Sequence, residues 1–508
     1  MVAKILSGAL SGVEGIMIEV EVDMAGGIPA FDIVGLPDSA VRESKERVRT
    51  AIKNVGILIP PKRITVNLAP ADIRKEGPSY DLPIALGILA GIGVIPAPAL
   101  KDIFVTGELS LDGDLRPTHG VLPMMHSAML TGVDACIVPY DNGEEASLVK
   151  GIKVTAPQNL RQLIDYFKSG FLPLYQREEI AEAFRPERDL LDFADVRGQE
   201  NVKRALTISA AGGHNILLIG PPGSGKTMMA RRLPGILADL DFEESIDVTK
   251  IYSVAGMMEA KSGLVRIRPF RAPHHTISYP ALVGGGRIPK PGEVSLAHHG
   301  VLFLDELPEF SRNVLEALRQ PMEDRIVTIS RANATITYPS GFMLVASMNP
   351  CPCGFFGEGD RCKCSERDVN RYLDRISGPL LDRIDMHVEA ARVNYEDFES
   401  ANAVRNSADI RQEVHRAQKI QSARYGGERI SLNAELHGGL IEKYCPLDGE
   451  SKALVKKIYD VMGLSARGYH KILKLARTVA DLAGATDVSA DHISEAIQYR
   501  ALDRKYWN

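Results

Sequence analysis

The segment Gly220-Pro-Pro-Gly-Ser-Gly-Lys226-Thr227 has the spacing of a loop that cradles phosphate. Its glycines allow backbone N–H groups to close around phosphate oxygens, Lys226 can neutralise β/γ charge, and the Thr227 hydroxyl can ligate Mg²⁺. Gly220, Pro221, Pro222, Gly223, Ser224 and Gly225 are therefore the expected cradle beside Lys226 and Thr227. Further along, Val301-Leu-Phe-Leu-Asp305-Glu306 is an apolar run ending in two acids. Asp305 is expected to hold Mg²⁺ through water, and Glu306 to polarise an attacking water as a base. Two neighbouring carboxylates without a cation would repel each other, so a purely structural role is a poor account of the pair. Asn349, in Ala346-Ser-Met-Asn-Pro, could orient the lytic water between γ-phosphate and Glu306. Taken alone, an Asn before Pro is a turn residue; its place after the next apolar run argues for the functional role.

Cys351, Cys353, Cys362 and Cys364 form two Cys-x-Cys pairs joined by a Gly-rich turn. Four thiolates in such a knuckle can complete a tetrahedral Zn²⁺ with no open position, a structural site rather than a catalytic one. Free thiols or labile disulfides are the alternative, and Cys-x-Cys is a tighter spacing than the commoner Cys-x-x-Cys. The knuckle follows Asn349 and carries Arg361 and Lys363, so nucleotide sensing or a DNA contact is open to it. The pairs His274-His275 and His298-His299 are read as non-ligands, because adjacent His side chains rarely share a metal.

These groups need elements that hold them. The apolar runs Asn215-Ile-Leu-Leu-Ile, Gly300-Val-Leu-Phe-Leu and Phe342-Met-Leu-Val-Ala-Ser, separated by helical stretches, predict a parallel sheet covered on both faces over 193–393. Before it, 1–171 mixes alternating strands such as Ile64-Thr-Val-Asn-Leu with helices such as Asp38 to Val55, and 172–192 reads as a linker. After it, 394–508 has helical periods, with Ser489-Ala-Asp-His-Ile-Ser-Glu opening a last helix in capping-box style. The predicted class is α/β, with an α+β domain before the sheet and a helical domain after it.

Composition bounds the rest. The 508 residues allow about three domains. A net charge of -5 advertises no global basic field, so any nucleic-acid contact must come from a local patch. Leu82 to Leu100 carries no charge, but Pro83, Pro96 and Pro98 interrupt it, which predicts a short buried helix rather than a membrane span. No signal peptide is read, and clustered cysteines fit a reducing compartment; the expected location is the cytoplasm.

The phosphate loop, Leu304-Asp305-Glu306, Asn349 and Leu380-Leu-Asp-Arg383-Ile-Asp together resemble an AAA+ ATPase. Arg268-Pro-Phe-Arg-Ala-Pro-His274-His275-Thr and Gly284-Gly-Gly are similar to the magnesium-chelatase-like group, and the whole chain resembles the YifB/ComM type within it. The resemblance implies an AAA+ core with a helical lid, ATP with Mg²⁺, and DNA branch migration in natural transformation. It implies that Arg383 reaches the γ-phosphate of a neighbouring subunit in a ring, a hexamer, and that Arg467 lays a cation on the phosphates in cis from the lid. Arg477 is the alternative for that second role, and Val196-Arg-Gly198-Gln199 resembles the segment lining the adenine pocket.

The resemblance also implies hairpins that project into the ring pore, as in related AAA+ helicases. Arg325-Ile-Val-Thr-Ile-Ser-Arg331-Ala-Asn-Ala-Thr-Ile-Thr-Tyr predicts such a hairpin with a Ser-Arg-Ala-Asn turn, and Arg331 would meet phosphate. The insert Lys261 to Arg271, with Arg266, Arg268 and Arg271 among apolar residues, is a second DNA candidate. A solvated hairpin is the plain alternative. Glu76-Gly-Pro-Ser79-Tyr-Asp and Thr106 to Gly113 resemble a Lon-protease-type domain in which Ser79 matches the nucleophile. Leu122 stands where the partner lysine belongs, so no group activates Ser79 and no peptidase activity is expected.

The expectation is a ring ATPase that moves on DNA. Its rivals are a chelatase-like motor remodelling a protein partner, an AAA+ protease disfavoured by Leu122, and a non-enzymatic scaffold disfavoured by the intact Lys226, Asp305 and Glu306.

Overall fold

The computed structural model describes residues 2–176, 191–258, 263–286, 289–331, 334–357, 359–392, 405–428, 430–462, 464–502 and 506–507. The expected linker falls mostly outside them. The chain divides into two compact units, one of residues 1–184 with 242–265, the other of 185–241 with 266–508. Sequence boundaries at 171 and 193 do not include the excursion of 242–265 into the first unit.

The first unit is built on a seven-stranded mixed sheet. Its strands are β1 (Ala3–Ser11), β2 (Glu14–Ala25), β3 (Ala30–Val34), β4 (Arg63–Ala69), β5 (Ile103–Val105), β6 (Ala135–Ile137) and β7 (Lys153–Thr155), in the order β3-β4-β2-β1-β5-β6-β7. β1 and β2 pair antiparallel with Ile5 opposite Val20, and the alternation of β2 turns Ile18, Val20, Val22 and Met24 into the core. α1 (Ser39–Asn54) starts at Asp38, whose carboxylate accepts the Val41 N–H and satisfies an otherwise orphaned donor. α2 (Asp81–Gly91) is the helix within the uncharged run; its residues from Asp81 to Ala90 are all buried, which is why the sequence there is apolar on every side. Gly87 brings it close to β2, since a Cβ would stand 2.4 Å from Val22 Cγ2. Among the described residues no helix is long and apolar enough to cross a membrane.

Leu122 lies on α3 (Val121–Leu130), buried in an apolar cluster with Phe104, Met124 and Met125. Its backbone N–H donates to Glu145 Oε1 at 2.9 Å. The helix Phe242–Ala255 packs on α3, and its Ser253 hydroxyl donates to the same buried carboxylate. Burial pushes the Glu145 carboxyl above its ordinary range, partly offset by these donors.

The second unit has a five-stranded sheet. β8 (Ile216–Ile219), β9 (Phe270–Arg271), β10 (Val301–Leu304), β13 (Met343–Met348) and β14 (Met386–Glu389) run parallel in the order β9-β10-β13-β8-β14, with the hairpin β11 (Ile326–Arg331) and β12 (Ala334–Pro339) between β10 and β13 in the chain. β8, β10 and β13 are buried at every position, as their apolar text, broken only by Ser347, requires. α4 (Glu200–Gly212) covers the sheet and packs against α5 (Ser407–Arg424) and α6 (Ala466–Leu482). One core cluster joins Ile216 and Val388 of the sheet to Ile472 and Val479 of α6, so the helical segment belongs to the same compact unit. The helix Ala490–Gln498 opens with a capping box, closed by His492 at the third position.

Candidate nucleotide site

The phosphate loop leaves the end of β8 and enters the short helix Lys226–Ala230. Gly223 and Gly225 have φ of +80° and +85°, a left-handed backbone that side chains resist, and Gly225 is the cap of the helix. Lys226 Nζ donates to the Gly220 and Pro221 carbonyls at 2.7 and 2.9 Å, to Ser224 Oγ at 3.4 Å and to Asn349 Oδ1 at 3.3 Å. Burial lowers its pKa to about 8, partly offset by the charges of Asp305 and Glu306.

β10 and β13 end beside this loop and bring the acids and the amide to it. Thr227 Oγ1 donates to Asp305 Oδ2 at 2.7 Å, so the hydroxyl and carboxylate expected to serve Mg²⁺ are adjacent. Both are hard oxygen donors, and the pair fits a magnesium ion. Ser347 Oγ donates to Asp305 Oδ1, and the Glu306 N–H donates to both Asp305 Oδ1 (3.1 Å) and Ser347 Oγ (3.4 Å). Glu306 has φ of +55° and keeps an exposed carboxylate, 57% accessible, with His275 Nδ1 3.7 Å from Oε2. The structure thus brings Lys226, Thr227, Asp305, Glu306 and Asn349 to one edge of the sheet.

Ser347 had no place among the expected site residues, and His275 was expected only as a non-ligand within the run that resembles the chelatase group. Ser347 is a hydroxyl inside an otherwise apolar buried strand, a signal that was present in Met343–Met348. Nothing local places His275 beside Glu306, because only the path of the chain after β9 brings the two together. Gln199 adopts φ of +59° and donates to the Ser224 carbonyl at 3.2 Å, which sets the Val196–Gln199 segment against the phosphate loop.

The arginines lie elsewhere. Arg383 precedes β14, where the Asn215 side-chain amide donates to its carbonyl at 3.2 Å, and Asn215 precedes β8. Because β8 and β14 are parallel and in register from Ile216 and Met386, Arg383 stands at the opposite end of the sheet from the phosphate loop of its own chain. Four strand residues put about 13 Å between the two edges. Arg467 shares this edge: it bonds Glu323 Oε1 at 3.2 Å, while Arg383 pairs with Glu323 Oε2. Lys471, one helical turn on, donates to the Ile384 carbonyl at 2.8 Å. The expected cis placement of Arg467 on its own phosphates is therefore corrected, because β8 separates them. Arg477 is 1% exposed and spent on Asp481 and the Ala485 and Thr486 carbonyls, so it is not the alternative. A cavity of about 580 Å³ opens at this edge, lined among others by Arg383, Arg467, Glu323, Arg325, Lys471 and Lys474.

Two of the four basic DNA candidates serve the fold. Arg268 donates to the Ala238 and His299 carbonyls at 2.8 Å, and Arg271 makes a two-point pair with Glu293 at 2.6 and 2.8 Å. Arg266 is exposed. Arg331 ends β11 paired with Ala334, and its side chain lies outside the described residues. Of the expected Ser-Arg-Ala-Asn turn, Ser330 and Arg331 are paired strand, and Ala332 and Asn333 lie outside the described residues.

The four cysteine sulfurs converge. Cys351 Sγ is 3.4 Å from Cys353 Sγ and 3.9 Å from Cys362 Sγ, Cys353 and Cys362 are 3.8 Å apart, and all four sulfurs lie within 4.8 Å of one another. Zn–S bonds of about 2.3 Å in a tetrahedron require sulfurs about 3.8 Å apart, whereas a disulfide requires about 2.05 Å. The donor set fits a tetrathiolate metal.

The model of the magnesium chelatase subunit ChlI matches residues 192–398, that of subunit ChlI of Mg-chelatase matches 20–142, and that of the ChlI C-terminal matches 404–500. The competence protein ComM of Haemophilus influenzae is 44% identical over 506 residues, 99% of this chain and 98% of its own. This chain belongs to the magnesium-chelatase-like ComM/YifB family. The uncharacterized protein YifB of Escherichia coli is 43% identical over 98% of this chain and 96% of its own. Lon protease 2 of Bacillus subtilis is 28% identical over 169 residues, 30% of each chain. The family has AAA+ cores of ATPase type, with ATP and Mg²⁺ as their ligands, and the Lon likeness is confined to part of the chain.

Proposed function

We propose that this chain is an ATP-hydrolysing ring motor that moves on DNA in the cytoplasm, and that its task is branch migration of recombination intermediates. The observation that carries this reading is the likeness along nearly the whole chain to a protein named for competence. Lys226 and the phosphate loop bind the nucleotide, Glu306 takes the proton of the attacking water, and Asn349 orients that water. Thr227 and Asp305 would hold Mg²⁺, whose charge would offset that of the phosphates. Arg383 and Arg467, at the far edge of the sheet, act on the nucleotide of a neighbouring copy, which makes the active form a ring, a homo-hexamer. Arg331 and Arg266 touch DNA phosphates. Cys351, Cys353, Cys362 and Cys364 hold a structural Zn²⁺.

A second reading, a motor that remodels a protein partner, is favoured by the three chelatase-subunit matches. Steady-state ATP hydrolysis by the purified protein separates the two. It is measured alone, with single-stranded DNA and with a four-way junction, at low and high salt, against Glu306→Gln as the blank. Hydrolysis stimulated by DNA, fading with salt and absent from the variant, is the expected result, and strand-exchange assays then resolve branch migration. Hydrolysis that ignores DNA overturns the DNA reading in favour of a protein partner.

A further inference from the structure

The cysteine knuckle and the phosphate loop touch each other. Gly354, between the two cysteine pairs, has φ of +85°, and a Cβ there would stand 2.4 Å from Pro222 Cδ and 3.8 Å from Asn349 Cγ. The knuckle therefore presents bare backbone to the proline of the phosphate loop, at a distance no side chain tolerates. The Gly354 N–H donates to the Cys351 carbonyl at 3.0 Å, so this turn is fastened directly to the first ligand. On the other side of that ligand, Asn349 accepts from Lys226 at 3.3 Å. The first cysteine pair is thus linked to the loop twice, through Pro222 and through Lys226.

The knuckle has little core of its own. Cys351 is buried, but Cys353, Cys362 and Cys364 are only half-buried, and Phe356 is 38% exposed. Apolar burial is not what holds the turn in shape, whereas a metal bonded to four thiolates would tie 351–364 into one rigid unit.

We propose that the metal held by Cys351, Cys353, Cys362 and Cys364 positions the phosphate loop through the Gly354–Pro222 contact, so that nucleotide affinity depends on metal loading. This deepens the zinc assignment above and rests on it. On binding, the four thiols release their protons to solvent and no electrons move. Loss of the metal frees the turn, and Pro222 and Asn349 lose the surface that holds them.

The test uses the full-length protein. Zinc released on blocking the thiols with a mercurial is counted, and excess dithiothreitol takes the mercury back off the thiols. The stripped protein is refilled with Co²⁺ to read the visible bands of a tetrathiolate site, and a fluorescent ADP analogue is titrated at fixed Mg²⁺ in loaded, stripped and reloaded protein. The expected result is one zinc per chain and a nucleotide Kd that rises about tenfold on stripping and returns with Zn²⁺, equivalent to about 1.4 kcal/mol. Pro222→Ala keeps all four cysteines; it should hold its metal at full occupancy while stripping changes its nucleotide Kd less than about twofold. Metal bound without effect on nucleotide affinity overturns the coupling and leaves the zinc assignment standing. The same tenfold loss in Pro222→Ala also overturns it, because the contact is then not the route. Absence of both zinc and the cobalt signature removes the metal site itself.

Discussion

Asp305 is the residue on which the candidate site turns. It accepts from Thr227 on one oxygen and from Ser347 and the Glu306 N–H on the other, so its carboxylate is oriented before any cation arrives. Groups that orient a metal ligand are worth about 10–100-fold in metal affinity. Ser347→Ala is therefore expected to raise the Mg²⁺ concentration for half-maximal hydrolysis about tenfold. Nucleotide binding without Mg²⁺ should change little; a Mg²⁺ titration of the variant checks both. Lys226 differs in kind, since it is held by the carbonyls of its own loop and by Asn349, and burial lowers its pKa to about 8.

Elements decide which groups can act together. β8 carries the phosphate loop at one end, while the turn before the parallel β14 carries Arg383 at the other. Glu323, on the helix Arg319–Asp324, gathers Arg383 and Arg467 at that edge, one arginine on each oxygen. An arginine finger is worth about 10³-fold or more in hydrolysis. Arg383→Ala and Glu306→Gln should each be nearly inactive alone. Mixed in equal amounts they should regain activity well above either, because some junctions then join an intact Glu306 to an intact Arg383 from the next chain. No recovery on mixing would show that the arginine does not act between copies. A similar division by elements is seen in the first unit, where Ser253 of the helix Phe242–Ala255 and the N–H of Leu122 meet on one buried carboxylate, Glu145.

For the whole molecule, acid is the predicted weakness of the second unit. His214 is fully buried and burial lowers its pKa to about 4, partly offset by Asp385. The unfolded chain takes up its proton near the ordinary value of about 6.5, so the folded state binds fewer protons below that pH. The stability tied to a neutral His214 is present above about pH 6.5 and is lost as pH falls towards about 4, on the order of 3 kcal/mol in all. Asp385 acts in the same direction at lower pH: burial raises its pKa, but the charges of Lys471, His214 and Lys474 outweigh that and hold it below the ordinary value. The melting transition that nucleotide shifts should therefore move down steeply between pH 6.5 and pH 4. His214→Gln should flatten that slope, even if the variant starts from a lower midpoint. An unchanged slope would remove His214 from this account.

The local spacing of residues was enough to single out the candidate phosphate loop, the Asp305-Glu306 pair, Asn349 and the four cysteines, because each depends on a short run whose backbone path is set by glycines or by a strand. The parallel sheet was legible for the same reason: Ile216–Ile219, Val301–Leu304 and, apart from Ser347, Met343–Met348 are apolar throughout, and strands covered on both faces read that way. The uncharged run from Leu82 was legible as a buried helix through its prolines. Tertiary structure decided what pairs at long range. Arg268 and Arg271 looked like free cations in a basic insert, yet they are committed to carbonyls and to Glu293, partners brought near only by the packed fold. Arg467 matched a motif that promised a cis role, but strand direction and register put it at the far edge with Arg383. His275, Ser347 and Glu323 gain their roles from neighbours far away in the chain, and no local period encodes such a meeting. Sequence spacing constrains groups within one element, whereas packing alone determines which elements bring their ends together.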